Sequence, residues 1–204
     1  MKVLSWNYRG LGSKSKEEAM TDLISLHHPD IFLIQETKME EYVFLQTSTN
    51  FWKKRGKAAI SSRGASGGIG TLWDDTKYEA VDIKYNTSWI LTQLRHKESN
   101  ILVRIYNIYA PNSYVEKKNC WNLLHEERSN LQGNVILVGD LNIILSQDEK
   151  REGSLIREPI REMVDDIILD WNLMDVKPSS GKYRWNNKRI GPGHIAARLD
   201  RFLI

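Results

Sequence analysis

The most regular hydrophobic pattern in the chain is the run Val135–Val138, in which every residue is apolar and most are β-branched. Such a run is typical of a strand buried on both faces of a sheet. The run stops at Gly139, and Asp140 and Asn142 follow one residue apart, on the same side of an extended segment. Ligands bind beyond the carboxyl ends of strands in α/β sheets, so this pair can hold a water, a metal ion or a phosphate oxygen. Because Gly, Asp and Asn also favour turns, a simple strand-to-turn transition is the alternative.

The first part of the chain shows strand, helix and strand patterns in succession. Lys2–Trp6 predicts one strand, and Ile31–Ile34 predicts a second strand that is buried on both faces. The i, i+3, i+4, i+7 spacing of an amphipathic helix lies between them, at Met20, Leu23, Ile24 and His27. Ser15 followed by Glu18 predicts a capping box at its start. A strand, a helix and a strand in this order indicate a right-handed parallel unit.

Polar residues follow both of these strands where the strands end. Asn7 follows the first strand, and Glu36 follows the second after Gln35. The carboxyl ends of parallel strands meet at the same edge of a sheet. We therefore expect Asn7 and Glu36 to lie near Asp140 and Asn142.

Four strand patterns fill the middle of the chain: Ser66–Trp73, Tyr78–Lys84, Trp89–Arg95 and Ile101–Ile108. Their quick succession is typical of antiparallel strands, so mixed sheets are predicted. The fourth pattern ends in Tyr109, a further polar group at a strand end. Beyond it, the sequence predicts a helix over Val115–Leu131 and a charged loop over Gln147–Glu158. A helix that begins at Pro159 and a final strand within Arg198–Ile204 complete the pattern.

Composition places the chain among ordinary globular proteins rather than disordered, membrane-spanning or disulfide-bonded ones. Its 204 residues, 41% hydrophobic and 27% charged, are enough for one domain with a substantial core. The one cysteine, Cys120, excludes an intrachain disulfide framework and is typical of a reducing compartment. No apolar run approaches the length of a membrane span, and the first residues lack a signal-peptide pattern. The net charge of +3 permits a polyanionic partner without requiring one.

Five short motifs with polar residues occur at predicted strand ends, in the order SWNYRG, IQETK, NIYAPN, GDLN and RLDRFL. In this order and at these separations they resemble the endonuclease/exonuclease/phosphatase superfamily. Two further stretches, SGGIGTLW and GKYRWNNKRIGPGHIAARLDRFL, look like the endonuclease domain of plant LINE-type (non-LTR) retrotransposons. The resemblance covers the whole chain and implies an α/β (α+β) fold, a four-layered sandwich of two mixed β-sheets flanked by helices. It also implies a single domain over residues 1–204, incomplete at the C-terminus and without its last strands.

The resemblance implies a Mg²⁺-dependent enzyme that hydrolyses phosphodiester bonds and nicks DNA. Glu36 resembles the family's principal metal ligand, for which Mn²⁺ is a possible substitute for Mg²⁺, and Asn7 resembles an amide that contacts metal and phosphate. Asp140 resembles the residue that orients or deprotonates the attacking water, and it is also a candidate metal ligand. Asn142 beside it would hold the water or a phosphate oxygen. Tyr109 resembles a phenol that donates a hydrogen bond to the scissile phosphate.

Three of these residues also have interpretations that involve no function. Asn7 could simply end a strand in a turn, and Glu36 could be a solvated or helix-capping acid. Tyr109 could be a core aromatic residue whose hydroxyl reaches solvent. The five motifs together favour the functional interpretation, because all of them lie where strands end.

At Asp200 the chain departs from the family. Asp200 resembles a carboxylate that supports a histidine in a downstream Ser-Asp-His segment, and the sequence ends four residues later. The five histidines do not follow a Ser-Asp pair: His27, His28, His96, His125 and His194. Asp200 could instead form a local ion pair with Arg198 or Arg201. We therefore expect impaired catalysis, together with an unpaired strand edge near Phe202–Ile204.

The predicted partner is DNA, bound largely without sequence specificity by a monomer, with no membrane and no small-molecule cofactor involved. Short basic groups and nearby aromatic and amide residues support this prediction: Lys53-Lys54-Arg55 with Lys57, Lys117-Lys118, Lys188-Arg189, Tyr183, Trp185 and Asn186–Asn187. Solvated lysines and a core tryptophan explain the same residues equally well.

Two other functions stay open on the sequence. One is a non-catalytic remnant that binds nucleic acid or a protein partner. The other is a superfamily phosphatase that acts on inositol phosphates or phospholipids, which the LINE-like C-terminal stretch disfavours. An intracellular location is expected, in the nucleus if the chain acts as a retrotransposon endonuclease.

Overall fold

The computed structural model describes residues 1–10, 12–64, 66–127, 133–152, 159–181, 183, 185–190 and 193–204. Its α-helices are α1 (Lys14–His27), α2 (Glu41–Phe51), α3 (Tyr114–Glu126) and α4 (Arg161–Asp170). Its strands are β1 (Val3–Asn7), β2 (Ile31–Gln35), β3 (Gly56–Arg63), β4 (Ser66–Trp73), β5 (Tyr78–Tyr85), β6 (Trp89–His96), β7 (Leu102–Tyr109), β8 (Asn134–Asp140), β9 (Lys150–Arg151), β10 (Trp185–Asn186), β11 (Ala196–Ala197) and β12 (Asp200–Leu203). No helix in these described ranges is long and apolar enough to cross a membrane.

The strands form two larger sheets and one small sheet. The first sheet has the order β1-β2-β4-β3, the second has the order β12-β8-β7-β6-β5, and the small one has the order β10-β11-β9. β1 pairs with β2 in parallel, and β7 pairs with β8 in parallel. Every other strand pairing described is antiparallel. The prediction of mixed sheets is therefore confirmed.

Hydrophobic residues pack in three layers, which makes the fold four-layered. Met20 is buried between the helices α1 and α2 and the outer face of the first sheet. Leu33 and Val138 pack between the two sheets. Leu137 points away from Val138, as successive strand residues do, and packs with Trp121 of α3 against the outer face of the second sheet. The predicted sandwich of two mixed sheets flanked by helices is confirmed.

The central strand β8 is longer than its hydrophobic run predicted. It continues through Gly139 to Asp140, so the prediction that it stops at Gly139 was wrong. Gly139 has a φ of 133°, and a Cβ there would lie 2.0 Å from the carbonyl oxygen of Ile108 on β7. Only glycine therefore lets the two parallel strands stay paired up to the carboxylate of Asp140.

Several predicted element ends differ from the structure. Helix α1 begins after Ser13 rather than at the Ser15 capping box, and the capping box is found at Ser146 instead. Pro159 lies in a turn two residues before α4, because Ile160 takes the capping position. The predicted end of the α3 helix at Leu131 lies outside the described residues. Within the predicted loop Gln147–Glu158, a 3₁₀ turn and the short strand β9 form, and residues 153–158 lie outside the description.

Besides the two-residue strands β9, β10 and β11, two longer elements, α2 and β3, have no counterpart in the sequence prediction. Strand β3 consists mostly of small and polar residues, GKAAISSR, so it lacks a run of large apolar side chains. Helix α2 buries only Phe44, Ser48 and Phe51, because one narrow face packs on the sheet. Both elements depend on tertiary packing rather than on a local pattern.

The outer edge of β12 is covered, so the predicted unpaired edge near Phe202–Ile204 was wrong. Val176 N–H donates to the carbonyl of Phe202 at 2.9 Å. Met174 and Ile204 exchange two backbone hydrogen bonds of 2.6 and 3.0 Å. The segment after α4 therefore acts as an edge cover, and Leu203 is fully buried beneath it.

Candidate active site

The strand register brings the predicted site residues to one edge of the sandwich. In the first sheet, Asn7 lies beside Gln35, the last residue of β2, and Glu36 follows directly. In the second sheet, Asp140 lies beside Tyr109 on one side and opposite Asp200 on the other. Paired residues on neighbouring strands point to the same face of a sheet, so these three side chains form a row across β7, β8 and β12.

The amide of Asn7 joins the carboxylates of the two sheets. Its Nδ2 donates to Glu36 Oε1 at 3.1 Å and to Asp140 Oδ2 at 2.7 Å. The Oδ1 atom of Asn7 is buried and has no hydrogen-bond partner among the described residues. Asn7, Glu36 and Asp140 are called the amide-bridged cluster below. In this cluster the carboxylates of Glu36 and Asp140 lie near one another, and the neutral amide of Asn7 lies between them.

The backbone at Glu36 is held in a left-handed conformation, with a φ of 52°. Hydrogen bonds on both sides fix it: Gly10 N–H donates to the Glu36 carbonyl at 2.7 Å, and Thr37 N–H donates to Gly68 at 3.0 Å. Gly68 has a φ of 81°, and a Cβ there would lie 2.2 Å from Thr37 Oγ1. Backbone strain of this kind is concentrated at functional sites, where the surrounding structure must hold it.

Asn142 does not extend beside Asp140 as the sequence predicted. Its φ of 47° turns the chain, and its N–H donates to Asp140 Oδ1 at 3.0 Å. Its side-chain Nδ2 donates to the Ala110 carbonyl at 2.5 Å. The Nζ of Lys117, a buried lysine of α3, donates to the Asn142 carbonyl at 2.7 Å. Asn142 therefore orients Asp140 through its backbone, and its amide nitrogen is bonded to the protein rather than turned toward a ligand.

Burial and negative charge shift the pKa values of Tyr109 and Asp140. Burial raises the pKa of the Tyr109 hydroxyl, and the charges of Glu36 and Asp140 raise it further. The hydroxyl hydrogen-bonds to Glu36 and stays protonated at neutral pH. Burial also raises the pKa of Asp140, while the hydrogen bonds from Asn142 and Asn7 oppose that rise. A fixed donor and a buried carboxylate therefore stand side by side.

Asp200 lies opposite Asp140, and the two arginines near it bind other acids. Arg201 donates to Glu149 Oε1 and to Asp175 Oδ2, both at 2.9 Å. Arg198 donates to the same two oxygens at 2.9 and 2.8 Å. Glu149, Asp175, Arg198 and Arg201 are called the ion-pair cluster below.

The donor set of the amide-bridged cluster fits a hard divalent cation. Mg²⁺ is commonly bound through one or two carboxylates, keeps several waters and gains further oxygens from substrate phosphates. Glu36 and Asp140 supply two carboxylates, and Asn7 supplies an amide. In the described part of the chain, three or more His, Cys, Asp or Glu side chains do not gather anywhere into a possible metal site.

A buried polar bridge beneath the cluster was not predicted. Gln35 Nε2 donates to Asn107 Oδ1 at 2.6 Å, which connects β2 of the first sheet to β7 of the second. Asn107 Nδ2 donates in turn to the Gly70 carbonyl at 2.9 Å. Both amides are fully buried, and they come one residue before Glu36 and two before Tyr109. An uncharged amide in a strand of mostly hydrophobic residues is the sequence signal that would have identified them.

The basic groups singled out in the sequence lie in different places. Gly56, which follows the group Lys53–Arg55, pairs with Trp73, which pairs with Ile31 at the start of β2. That group therefore lies at the opposite end of the first sheet from Glu36, about five residues or roughly 17 Å away. Lys188 and Arg189 are exposed in the loop before β11. The Tyr183 hydroxyl donates to the Asp148 carbonyl at 3.4 Å.

The five histidines lie in other parts of the fold. His27 and His28 stand at the end of α1, and His96 hydrogen-bonds to Ser99 in the turn after β6. His125 of α3 faces Asp170 at 3.6 Å, and His194 precedes β11.

Comparisons with known proteins were made on sequence and on fold. Residues 4–204 match the model of the Endonuclease/Exonuclease/phosphatase family. An AP endonuclease from Archaeoglobus fulgidus is similar with a TM-score of 0.74 and 16% identity, over 100% of this chain and 86% of that one. A 3′-5′ exonuclease (NExo) from Neisseria meningitidis gives 0.72 and 19%, over 100% and 86%. The endonuclease domain of TRAS1, a telomere-specific non-LTR retrotransposon, gives 0.67 and 16%, over 99% and 84%.

Identities this low show a shared fold and no more. A comparison of the sequence with curated proteins found no match. The roles of the individual site residues stay predictions, now with a defined geometry.

Proposed function

Because the chain belongs to the endonuclease/exonuclease/phosphatase family, we propose that it is a divalent-metal-dependent endonuclease that nicks DNA. The observation that carries the proposal is the amide-bridged cluster, in which Asn7 Nδ2 holds Glu36 and Asp140 at 3.1 and 2.7 Å. Two carboxylates that form no ion pair with another described residue suit a site that binds Mg²⁺, or Mn²⁺ in its place. When bound, the ion supplies positive charge to the phosphate oxygens.

The residues of the chain supply the remaining chemistry. Asn7 and the Asn142 N–H each bind one oxygen of Asp140, so this carboxylate is fixed in orientation. Because burial raises its pKa, Asp140 is a stronger proton acceptor than an ordinary aspartate, and we assign it this role toward an attacking water. The single proton of the Tyr109 hydroxyl is directed at Glu36 in this structure, and it would be free to turn to a phosphate oxygen once Glu36 binds the ion. We assign Asp200, which lies opposite Asp140 on β12, a structural role beside the site.

The proposal places the chain with LINE-type retrotransposon endonucleases of plants. The stretches SGGIGTLW and GKYRWNNKRIGPGHIAARLDRFL support this placement, and so does the fold similarity to the TRAS1 endonuclease domain. DNA is then the substrate and the nucleus the place of action. The five histidines of the chain receive no role in the proposed reaction.

A plasmid-nicking assay tests the proposal. Supercoiled DNA is incubated with an excess of protein and Mg²⁺, so that slow cleavage is detected, and a parallel sample contains a chelator. We expect nicking that the chelator abolishes and that Asp140→Asn reduces by about 10²–10⁴-fold, since a positioned proton acceptor contributes that much. Asp166→Asn, an exposed acid on α4, is the matched control and should cleave like the wild type.

Equal cleavage by Asp140→Asn and wild type would contradict the assignment. Release of phosphate from inositol phosphates, with no nicking of DNA, would favour a phosphatase instead. DNA binding without hydrolysis of either substrate would favour a non-catalytic binding protein.

A further inference from the structure

Three cations lie at the same edge of the first sheet as the amide-bridged cluster. Arg9 stands two residues beyond β1, Lys38 stands three residues beyond β2, and Arg63 is the last residue of β3. The strand order β1-β2-β4-β3 places them in a row along that edge, and they are called the cationic rim below. The row begins beside Asn7 and Glu36 and runs away from them.

The backbone that carries the cationic rim is tightly held. Lys38 N–H donates to the Gly67 carbonyl at 3.0 Å, beside the end of β3, and a Cβ on Gly10 would lie 3.2 Å from Lys38 Cδ. The Nζ of Lys16 donates to the carbonyls of Arg9 and Gly10. Arg9 and Lys38 both have left-handed φ angles, of 51° and 56°. The backbone positions of Arg9 and Lys38 are therefore set by hydrogen bonds just beyond the strand ends.

The charged groups of the rim have no bonding partner in the part of the chain that the structure describes. Arg9, Lys38 and Arg63 are exposed, and none of their cationic groups has a hydrogen bond or ion pair with another described residue. Arg9 is near enough to the site for its charge to lower the pKa values of Tyr109 and Asp140. The rim therefore carries three cations that an anionic partner can approach without breaking internal contacts.

The basic group at the opposite end of the sheet differs in this respect. Lys53 Nζ donates to the carbonyls of Thr49 and Asn50 at the end of α2. Lys54 forms an ion pair with Asp74 at 3.2 Å. These two cations stabilise the local fold, and a phosphate would have to compete with those contacts.

We propose that the cationic rim binds the backbone phosphates of the DNA strand that enters the site. This inference rests on the proposed function. Three strand spacings of about 4.8 Å give the rim a length of roughly 14 Å. One DNA strand carries a phosphate about every 3.4 Å along the helix axis, so the rim spans about four phosphates and contacts three.

Salt dependence of DNA binding tests the rim separately from catalysis. Binding of a labelled duplex of mixed sequence is measured by fluorescence anisotropy without divalent metal, over a range of NaCl concentrations. Each lost phosphate contact lowers the slope of log K against log salt by about 0.9. We expect Arg9→Gln/Lys38→Gln/Arg63→Gln to lower the slope by about 2–3, and Arg63→Gln alone to lower it by about 1.

The control removes the same charge from the opposite end of the sheet, as Lys53→Gln/Lys54→Gln/Arg55→Gln. It should keep the slope of the wild type, and thermal melting confirms that each variant is folded. A wild-type slope for the folded triple rim variant, or an equal loss in the control, would overturn the inference. A lowered slope in a protein that cleaves no DNA would support the rim and reject the proposed hydrolysis. If the wild type cleaves DNA but the rim variants bind DNA with the wild-type slope, the proposed hydrolysis is supported and the inference about the rim is rejected.

Discussion

The ion-pair cluster and the amide-bridged cluster each contain two acids, and the partners of these acids differ in kind. In the ion-pair cluster, Glu149 is 3% exposed and Arg201 is fully buried, and two carboxylates meet two guanidinium groups. In the amide-bridged cluster, Glu36 and Asp140 meet the neutral amide of Asn7. The first group is balanced in charge within the protein. The second has two carboxylates and no guanidinium among its members, so it can accept a cation from outside.

The pKa values of Glu149 and Asp140, one acid from each cluster, are shifted in opposite directions. Burial alone would raise the pKa of Glu149, but the hydrogen bonds and the charge of Arg201 lower it to about 2. Burial raises the pKa of Asp140, and the charge of Glu36 adds to the rise. Similar burial therefore has different outcomes, and the presence of a guanidinium decides between them. An acid that lacks one is available to bind a ligand, whereas an acid that has one holds the fold together.

Removing one arginine should break the ion-pair cluster and give the largest loss of stability. Arg201→Met leaves Glu149 with one guanidinium fewer in a site that water does not reach. Breaking a buried pair in this way costs about 3–5 kcal/mol. We expect urea unfolding to show a loss of that size, whereas Arg189→Met, an exposed arginine before β11, should change the free energy of unfolding by under about 0.5 kcal/mol.

A second variant separates charge from packing in the same experiment. Arg201→Met/Glu149→Met removes both partners, so part of the lost stability should return. A loss for Arg201→Met below about 1 kcal/mol would mean that the cluster does not depend on this pair.

The acid stability of the protein should follow from the ion-pair cluster. The pKa of Glu149 is lowered in the folded state, so its contribution is present above the unfolded value of about 4.5 and is lost as the pH falls toward 2. A shift of this size corresponds to about 3–4 kcal/mol. Urea unfolding at several pH values should show this loss in the wild type and a flatter curve for Glu149→Gln.

Asp140 should show the opposite dependence. Its pKa is raised in the folded state, so the wild type loses stability as the pH rises through that pKa. Asp140→Asn should therefore gain stability relative to the wild type over the same range. If stability depends on pH in the same way in both proteins, burial does not raise the pKa of Asp140.

Mg²⁺ should raise the free energy of unfolding of the protein by binding at the amide-bridged cluster and not at the ion-pair cluster. Binding at ten times the dissociation constant adds about 1.4 kcal/mol to the free energy of unfolding. Thermal melting with increasing Mg²⁺ should show the gain in the wild type and none in Glu36→Gln. Glu41→Gln, an exposed acid at the start of α2, should keep it. An equal gain in Glu36→Gln would remove Glu36 from the metal site.

The amide-bridged cluster could be located from the sequence because strand ends determine it. Asn7, Glu36 and Asp140 each follow an apolar run, and parallel pairing brings such ends together. The direction of Asn142 could not be predicted in this way. Its left-handed turn depends on Lys117 and Ala110, which lie 25 and 32 residues away in sequence.

The ion-pair cluster could not be predicted from the sequence for a related reason. Arg198 and Arg201 were interpreted as possible partners of the adjacent Asp200, whereas their acids lie 23–52 residues away. Glu149 and Asp175 stand in segments without hydrophobic periodicity, so no local pattern identified them. The segment that covers the edge of β12, with Met174 and Val176, was not predicted either, because it also lacks hydrophobic periodicity.

The smallest effect should come from Lys177, the exposed lysine at the surface of the ion-pair cluster. Lys177 lies 3.3 Å from Glu149 and 3.0 Å from Asp175, but its side chain is 65% exposed. Both acids already bind arginines, and an exposed ion pair contributes about 0–1 kcal/mol. Lys177→Gln should therefore cost under about 1 kcal/mol in urea unfolding at low salt, and nearly nothing at 1 M salt, where screening acts over about 3 Å. A loss above about 2 kcal/mol would show that the two arginines do not balance the acids and that the cluster needs its third cation.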